Sequence, residues 1–295
     1  MDAIIQALIQ GILLGGFYAA MVLGFSIIWG VMGVINLAHG EYLMIGAYLA
    51  WIFSTYLGMD PFASLIIILP IMFVVGYAIQ RLLINRIVER PHLMALLVTF
   101  GLGIAMANVV KLLYTSDPKY INVTYDGATD LAGFTFSNIK SLIFIASLII
   151  MVVLTLFLQR TRLGKSIRAA AQNKNAARIV GIEINQVYAV TAGICIALTA
   201  AIGAMYALVV PVYPFMGPPF TLRAFTITAL GGLGRIPGAL IGGMVLGISE
   251  QMLARFIPNI GTNLGIAISF VLLVIVLIVR PQGILQGLRP MDEVD

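Results

Sequence analysis

The sequence predicts an all-α polytopic membrane protein with about eight or nine transmembrane helices, and three observations predict it. Of 295 residues, 61% are hydrophobic and only 10% charged, with a mean hydropathy of +1.05. Soluble domains carry roughly 45–50% apolar and about 25% charged residues, so a soluble fold is excluded. Long stretches contain no Asp, Glu, Lys, Arg or His, and the basic residues collect in short segments between them. At roughly 20 residues per crossing, the chain has room for about eight to ten helices and no sizeable soluble domain. A single transmembrane domain over residues 1–295 is expected.

The charge-free stretches run over residues 3–38, 42–59, 61–80, 93–110, 141–159, 184–222, 236–249 and 256–279. A charge at the centre of a spanning helix costs about 2.5–3.5 kcal/mol on insertion scales, which makes such gaps informative. The first Lys or Arg is Arg81, so the basic leader of a cleaved signal peptide is missing and the first apolar run is expected to stay as a helix. Between the first two runs lies Gly-Val-Met-Gly-Val-Ile-Asn-Leu-Ala-His-Gly-Glu, residues 30–41. It reads either as an ordinary connector or as the break in a discontinuous helix lining a conduit. On the second reading Asn36, His39 and Glu41 face water or substrate along a translocation path. Non-helical backbone at that depth is tolerated only where protein or a cavity satisfies it.

Orientation follows from the loops. Segments 81–92 and 160–183 hold more than half of the 17 basic residues, which places both on the cytoplasmic side. Segment 111–140, with Asp117, Asp126, Asp130 and turn-forming residues, reads as external. Counting back from Arg81 puts the amino terminus outside. A cytoplasmic tail with Arg280 and Arg289 requires 184–210, 220–234, 237–255 and 263–279 all to cross, nine crossings in total; otherwise 220–234 re-enters. Glycine pairs at i, i+4 (Gly11 with Gly15, the row Gly234, Gly238 and Gly242, Gly243 with Gly247, Gly261 with Gly265) mark helix faces that let a neighbouring backbone approach. Pro237 starts its helix, where a missing N–H is no loss.

The 160–183 loop is the most informative segment. Gly164-Lys165-Ser166 resembles part of a phosphate-binding loop, but that motif needs a glycine at position 159, which is Gln. Ser166 is instead expected to cap a helix over 167–179, with Gly181 ending it in a left-handed conformation. From the residues alone, two readings stand: a small-residue helix with Arg168 and Arg178 as handles that seats in another protein's groove, or a solvated basic loop that only sets topology.

At this point a resemblance bears on the choice. Arg168-Ala-Ala-Ala-Gln-Asn173, then Ala176-Ala177 and Gly181-Ile182, resembles the coupling loop of ABC importer permeases, and more narrowly of branched-chain amino-acid importers. Asn36-Leu-Ala-His-Gly-Glu41, the 93–103 region, Leu230-Gly-Gly-Leu-Gly-Arg-Ile-Pro-Gly-Ala239 and Arg280-Pro-Gln-Gly-Ile-Leu285 are similar to the shorter of that family's paired permeases. The resemblance implies a type II ABC-importer-like bundle. It also implies a second permease subunit, two cytoplasmic ATPases carrying ATP and magnesium, a periplasmic or extracellular substrate-binding protein, and a place in the bacterial inner membrane. Arg168, Ala171, Asn173, Ala176, Ala177, Arg178 and Gly181 would carry the ATPase coupling.

Other classes remain open at this stage. The same family moves urea and short amides, so cargo is not specified. An ion-coupled transporter would need intramembrane carboxylates, and Glu41 and Glu250 are the candidates, both near expected span ends. A membrane scaffold recruiting soluble partners is the third reading. Arg223 and Arg255, external on this topology, are candidates for attracting an acidic docking face. Cys195 reads as a small buried hydrophobe. Two histidines and one cysteine make no zinc cluster, no nucleophile–base pair marks an enzyme, and no cofactor or nucleic-acid partner is expected for this chain.

Overall fold

In the computed structural model, residues 2–123, 125–131, 133–232, 236–256 and 263–279 are described. Among them nine helices have 15 or more residues: α1 (Asp2–Met32), α2 (His39–Leu57), α3 (Pro61–Leu82), α4 (His92–Tyr114), α5 (Asn138–Arg160), α8 (Ile184–Tyr206), α9 (Gly217–Gly231), α10 (Ile236–Phe256) and α11 (Asn263–Val279). Two short helices, α6 (Arg162–Gln172) and α7 (Lys174–Ile179), fill the basic loop. A two-stranded antiparallel ribbon, β1 (Ala128–Leu131) and β2 (Phe134–Ser137), lies in segment 111–140.

Among the described residues, six helices are long and apolar enough to cross a membrane: those beginning in α1, α3, α4, α5, α8 and α10. The expected crossing at 220–234 is instead the 15-residue α9. At 1.5 Å per residue it rises about 22 Å, short of the ~30 Å hydrocarbon core. Pro218 and Pro219 set its start, since proline cannot extend a helix backwards beyond its first turn. The motif at 280–285, the tail arginines Arg280 and Arg289, and Gly234 and Gly261 lie outside the described residues.

Segments assigned to one side by charge meet one another in space. At the amino-terminal face, Gln6 Nε2 donates to the Thr135 carbonyl at 2.7 Å, Tyr125 Oη donates to Asp60 at 2.9 Å, and Lys119 pairs with Val212. At the opposite face, the connector after α3 meets the α6–α8 region: Asn85 Nδ2 donates to the Asn185 carbonyl at 2.9 Å and an Arg81 amino group to Gln186 at 2.7 Å.

Between these faces the glycines carry the packing. α1 and α10 share the most extensive helix contact in the bundle, and their glycines interlock. A Cβ at Gly247 would lie 2.5 Å from the Gly15 amide nitrogen, and one at Gly11 would lie 2.7 Å from Ile248 Cα. Gly242 abuts the Ile227 carbonyl, while Gly238 and Gly231 meet backbone to backbone. In lipid, where apolar side chains gain nothing by leaving the acyl chains, such close approach is what holds helices together. α1 and α8 are therefore buried along most of their length, whereas α3, α4 and α5 turn Ile66, Leu97, Leu112 and Val153 outward.

Candidate functional site

Two places combine polar chemistry with special backbone: a junction buried between the faces, and a lobe at the face opposite the amino terminus.

The junction begins where α1 stops at Met32. Gly33 closes α1 on the Trp29 carbonyl at 2.8 Å with φ +67, and residues 34–37 run outside any helix before α2 starts at His39. That backbone is satisfied by threonines from two other helices. Thr99 of α4 accepts from the Leu37 amide at 3.2 Å. Thr221 of α9 accepts from the Gly40 amide at 2.8 Å and donates to the Leu37 carbonyl at 3.3 Å. The segment is thus a helix break held inside protein, one of the settings in which such a break survives in a bilayer.

Asn36, His39 and Glu41 are all brought to this junction, but none faces water in this conformation. They are 7%, 1% and 3% exposed. Asn36 turns back on the chain and accepts from the Ala38 amide at 3.0 Å. The His39 ring lies 3.1 Å from the Met21 carbonyl and packs edge-on against Phe25. Glu41 sits in the first turn of α2, where a helix N-terminus favours negative charge. Its carboxyl lies against Gly217, the first residue of α9, which has no room for a side chain. Its Oε2 is buried without a hydrogen-bond partner.

The two carboxylates expected near span ends are therefore both inside the bundle. Glu250, 8% exposed, accepts from Arg223 Nε at 2.9 Å and from Tyr18 Oη at 2.6 Å. Arg223 is consequently not an external docking group: it lies across the rings of Tyr18 and Phe220 and is spent on an internal ion pair. Charge-free runs locate spans, but they do not reveal which flanking charges fold back inside. Arg255, in the last turn of α10, stays exposed.

The lobe formed by the basic loop differs from the expected single helix. Thr161, not Ser166, caps α6, accepting from the Gly164 amide at 2.9 Å. Ser166 lies within α6 and donates to the Arg162 carbonyl. The helix breaks at Asn173, whose side chain accepts from the amides of Asn175 and Ala176 at 3.0 and 2.9 Å and so starts α7. Asn competes well for backbone donors, which is why it caps rather than continues a helix. Gly164 lies inside α6, with the Phe157 carbonyl and Leu158 where a Cβ would go, so the Gly164–Ser166 tripeptide cradles no phosphate.

Beyond α7, Gly181 adopts φ +85 with nothing within 4 Å of where a Cβ would sit. The Ile182 amide closes the turn on the Ala177 carbonyl at 3.0 Å. Arg178 reaches Glu89, in the connector after α3, at 2.6 Å; the charge and hydrogen bond of Arg178 hold the Glu89 carboxyl below the ordinary glutamate range.

Of the residues expected to carry coupling, Arg168, Asn173, Ala176, Arg178 and Gly181 are exposed and Ala171 is half-buried. Ala177 is only 3% exposed and faces the bundle, so it anchors the lobe rather than offering a docking surface. Two residues that sequence reasoning passed over stand out beside them. Ile179 and Val180 are 86% and 75% exposed at the tip, where water and not lipid would meet them. The signal was available: an Ile-Val pair inside a basic, alanine-rich loop has no lipid to face.

Comparison with known proteins identifies the family. Residues 7–277 match the family described as branched-chain amino acid transport system / permease component. The chain is 33% identical to the high-affinity branched-chain amino acid transport system permease protein BraD of Pseudomonas aeruginosa, over 95% of each chain. It is 31% identical to the corresponding permease protein LivH of Escherichia coli, again over 95% of each. With the permease protein LivM of Salmonella typhimurium it shares 25% identity over 92% of this chain and 68% of that protein. This multi-pass membrane protein thus belongs to the branched-chain amino-acid transport permease family, the membrane component of an ABC transporter.

Proposed function

We propose that this chain forms half of the membrane passage of an importer for branched-chain or other apolar amino acids in the bacterial inner membrane. A second, related permease completes the passage, a binding protein delivers the cargo at the outer face, and two ATPases binding ATP and magnesium drive it from the cytoplasm. The observation that carries this reading is the lobe α6–α7. It ends in the exposed Ile179–Val180 tip, set by the left-handed Gly181 and tied to the bundle by Ala177 and the Arg178–Glu89 pair. An apolar tip on a short helix, at the face opposite the amino terminus, suits insertion into a cleft of a soluble motor. A rigid attachment suits transmission of that motor's closure to the helices above.

The same geometry supports a part for the junction. Where Gly40 and Glu41 meet the start of α9, beside Asn36 and His39, two helix starts and an unpartnered carboxyl sit at a break between helices. We assign to it the gating of the passage rather than the binding of a coupling ion. Glu250, the other buried carboxylate among the described residues, lies in an ion pair with Arg223.

The test is uptake into vesicles reconstituted with this chain, the partner permease, both ATPases and the binding protein. Leucine uptake that requires ATP and every component is the expected result. Gradient-driven uptake by this chain alone, or none with the complete set, would overturn the reading.

A further inference from the structure

A cavity of about 310 Å³ opens between α1, α5, α8, α9 and α10, next to the Tyr18–Glu250–Arg223 cluster. It lies towards the amino-terminal face, since its rim residues Gln10 and Lys140 belong to the helix ends that meet at β2: Gln10 Nε2 donates to the Thr135 carbonyl at 3.3 Å. The volume is at the lower end of the range for small-molecule sites, and its composition, apolar walls with a few convergent polar groups, is that of a ligand pocket. Its lining combines Leu13, Leu14, Phe17 and Ile143 with two cations, Lys140 and Arg223, and one carboxylate, Glu250.

The charges do not balance internally. Arg223 and Glu250 form an ion pair, and Glu250 is further held by Tyr18. Lys140 has only a neutral partner, Gln10 Oε1 at 3.0 Å, and no carboxylate lies within ion-pair distance of it among the described residues. A half-buried ammonium beside apolar walls is costly unless an anion joins it. The cavity therefore favours a molecule with an acid group for Lys140, an apolar body for the leucine and phenylalanine wall, and a hydrogen-bonding cation that the oxygens of Glu250, Gln10 and Gln251 can accept.

We propose that this cavity is a binding site for the zwitterion of an aliphatic amino acid, occupied within one permease subunit on the way in from the outer face. The proposal rests on the importer reading above and adds a place where the permease itself contacts cargo. The carboxylate sits on Lys140, the ammonium between Glu250 and the glutamine oxygens, and the side chain against Leu13, Leu14 and Phe17. Arg223 orients the Glu250 carboxylate through their ion pair rather than contacting the cargo.

The experiment uses the assembled transporter in nanodiscs without its binding protein, and measures equilibrium binding of labelled leucine. Saturable binding is expected, weakened at least tenfold by Lys140→Met and, independently, by Leu14→Trp, which fills the apolar side without touching a charge. Binding-protein-dependent uptake is measured in parallel, and bound lipid is identified by mass spectrometry. Absence of saturable leucine binding while uptake by the complete system is intact would overturn the cavity proposal and leave the importer reading standing. A tightly held phospholipid, lost in both variants and not displaced by leucine, would show a lipid headgroup site and likewise overturn it. Absent uptake with every component present would overturn the importer reading itself.

Discussion

The lobe proposed to meet the motor turns on one backbone angle, and that angle can be perturbed without adding a clash. Gly181 holds φ +85 in open space, so replacing it with alanine changes backbone strain alone. A left-handed conformation costs an L-residue roughly 1–2 kcal/mol. In the Gly181→Ala variant the tip relaxes away from the turn that closes on the Ala177 carbonyl, and docking must restore it. If the motor binds only the observed turn, association weakens by that strain. At about 1.4 kcal/mol per tenfold, this predicts a loss of affinity of roughly 5- to 30-fold. Asparagine tolerates the left-handed region better than alanine, so Gly181→Asn should lose less.

The control is built into the fold. Gly58, between α2 and α3 on the other face, has φ +61 and is equally open, so Gly58→Ala introduces comparable strain far from the lobe. Affinity of the ATPases for the nanodisc-embedded permease, measured by titration, should fall for Gly181→Ala, fall less for Gly181→Asn and stay unchanged for Gly58→Ala. Equal affinities for the Gly181 variants and wild type would refute the claim that this turn shapes the docking tip. Equal losses for Gly58→Ala and Gly181→Ala would show that general destabilisation, not tip geometry, governs assembly.

Three further outcomes follow from other parts of the structure. Gly247→Val should destabilise the bundle by about 1–3 kcal/mol or more, because its Cβ would lie 2.5 Å from the Gly15 backbone nitrogen, which cannot rotate away. Gly101→Ala, at an open position on α4, should instead be neutral or stabilising by about 0.5–1 kcal/mol; denaturation midpoints in detergent compare the two. Arg223→Met should cost about 3–5 kcal/mol by stranding the Glu250 charge, and pairing it with Glu250→Leu should recover most of that loss in the same assay. Because Arg178 lowers the Glu89 pKa below its ordinary value of 4.5, the attachment of the lobe is fully present above pH 4.5 and is lost as pH falls through the lowered value. Amide protection factors across residues 176–181 should therefore be flat from pH 8 to 5 in wild type and reduced throughout in Glu89→Gln.

The parts of this molecule legible in its sequence are those governed by lipid. Charge-free runs marked the helices because hydrocarbon tolerates little else, and the basic loops marked one face. The structure then joined Arg178 to Glu89 across those loops. Gly11 with Gly15 and Gly243 with Gly247 announced close packing, although only the structure shows that each pair is the other's partner. What stayed hidden depends on tertiary pairing. Nothing local distinguishes an arginine that snorkels from one that folds inward, so Arg223 was read as external until Glu250 and Tyr18 appeared beside it. Likewise Ser166 and Thr161 are both good caps by type. The choice fell to Thr161 because α5 ends at Arg160 and Gly164 must pack against Phe157 and Leu158, which draws α6 in by a full turn.

The junction at residues 33–41 shows how such a permease can move without unfolding. Its hydrogen bonds are supplied by single hydroxyls, Thr99 from α4 and Thr221 from α9, each of which bonds more than one backbone group. A helix ladder is cooperative and resists shifting, whereas a few side-chain bonds can exchange one partner at a time. Sliding α9 relative to α2 requires only that Thr221 release the Gly40 amide and the Leu37 carbonyl while the Gly40–Gly217 contact, free of side chains, passes by. Gly40→Ala would block that passage, since its Cβ would meet the Gly217 carbonyl. Thr221→Val would instead leave the Gly40 amide unsatisfied and cost about 1–3 kcal/mol in this packing. If α9 slides during transport, Gly40→Ala should abolish leucine uptake while ATPase binding persists, and Thr221→Val should alter the uptake rate and the stability of this packing together. A Gly40→Ala protein that assembles and transports at the wild-type rate would show that α2 and α9 stay locked and that the passage opens elsewhere.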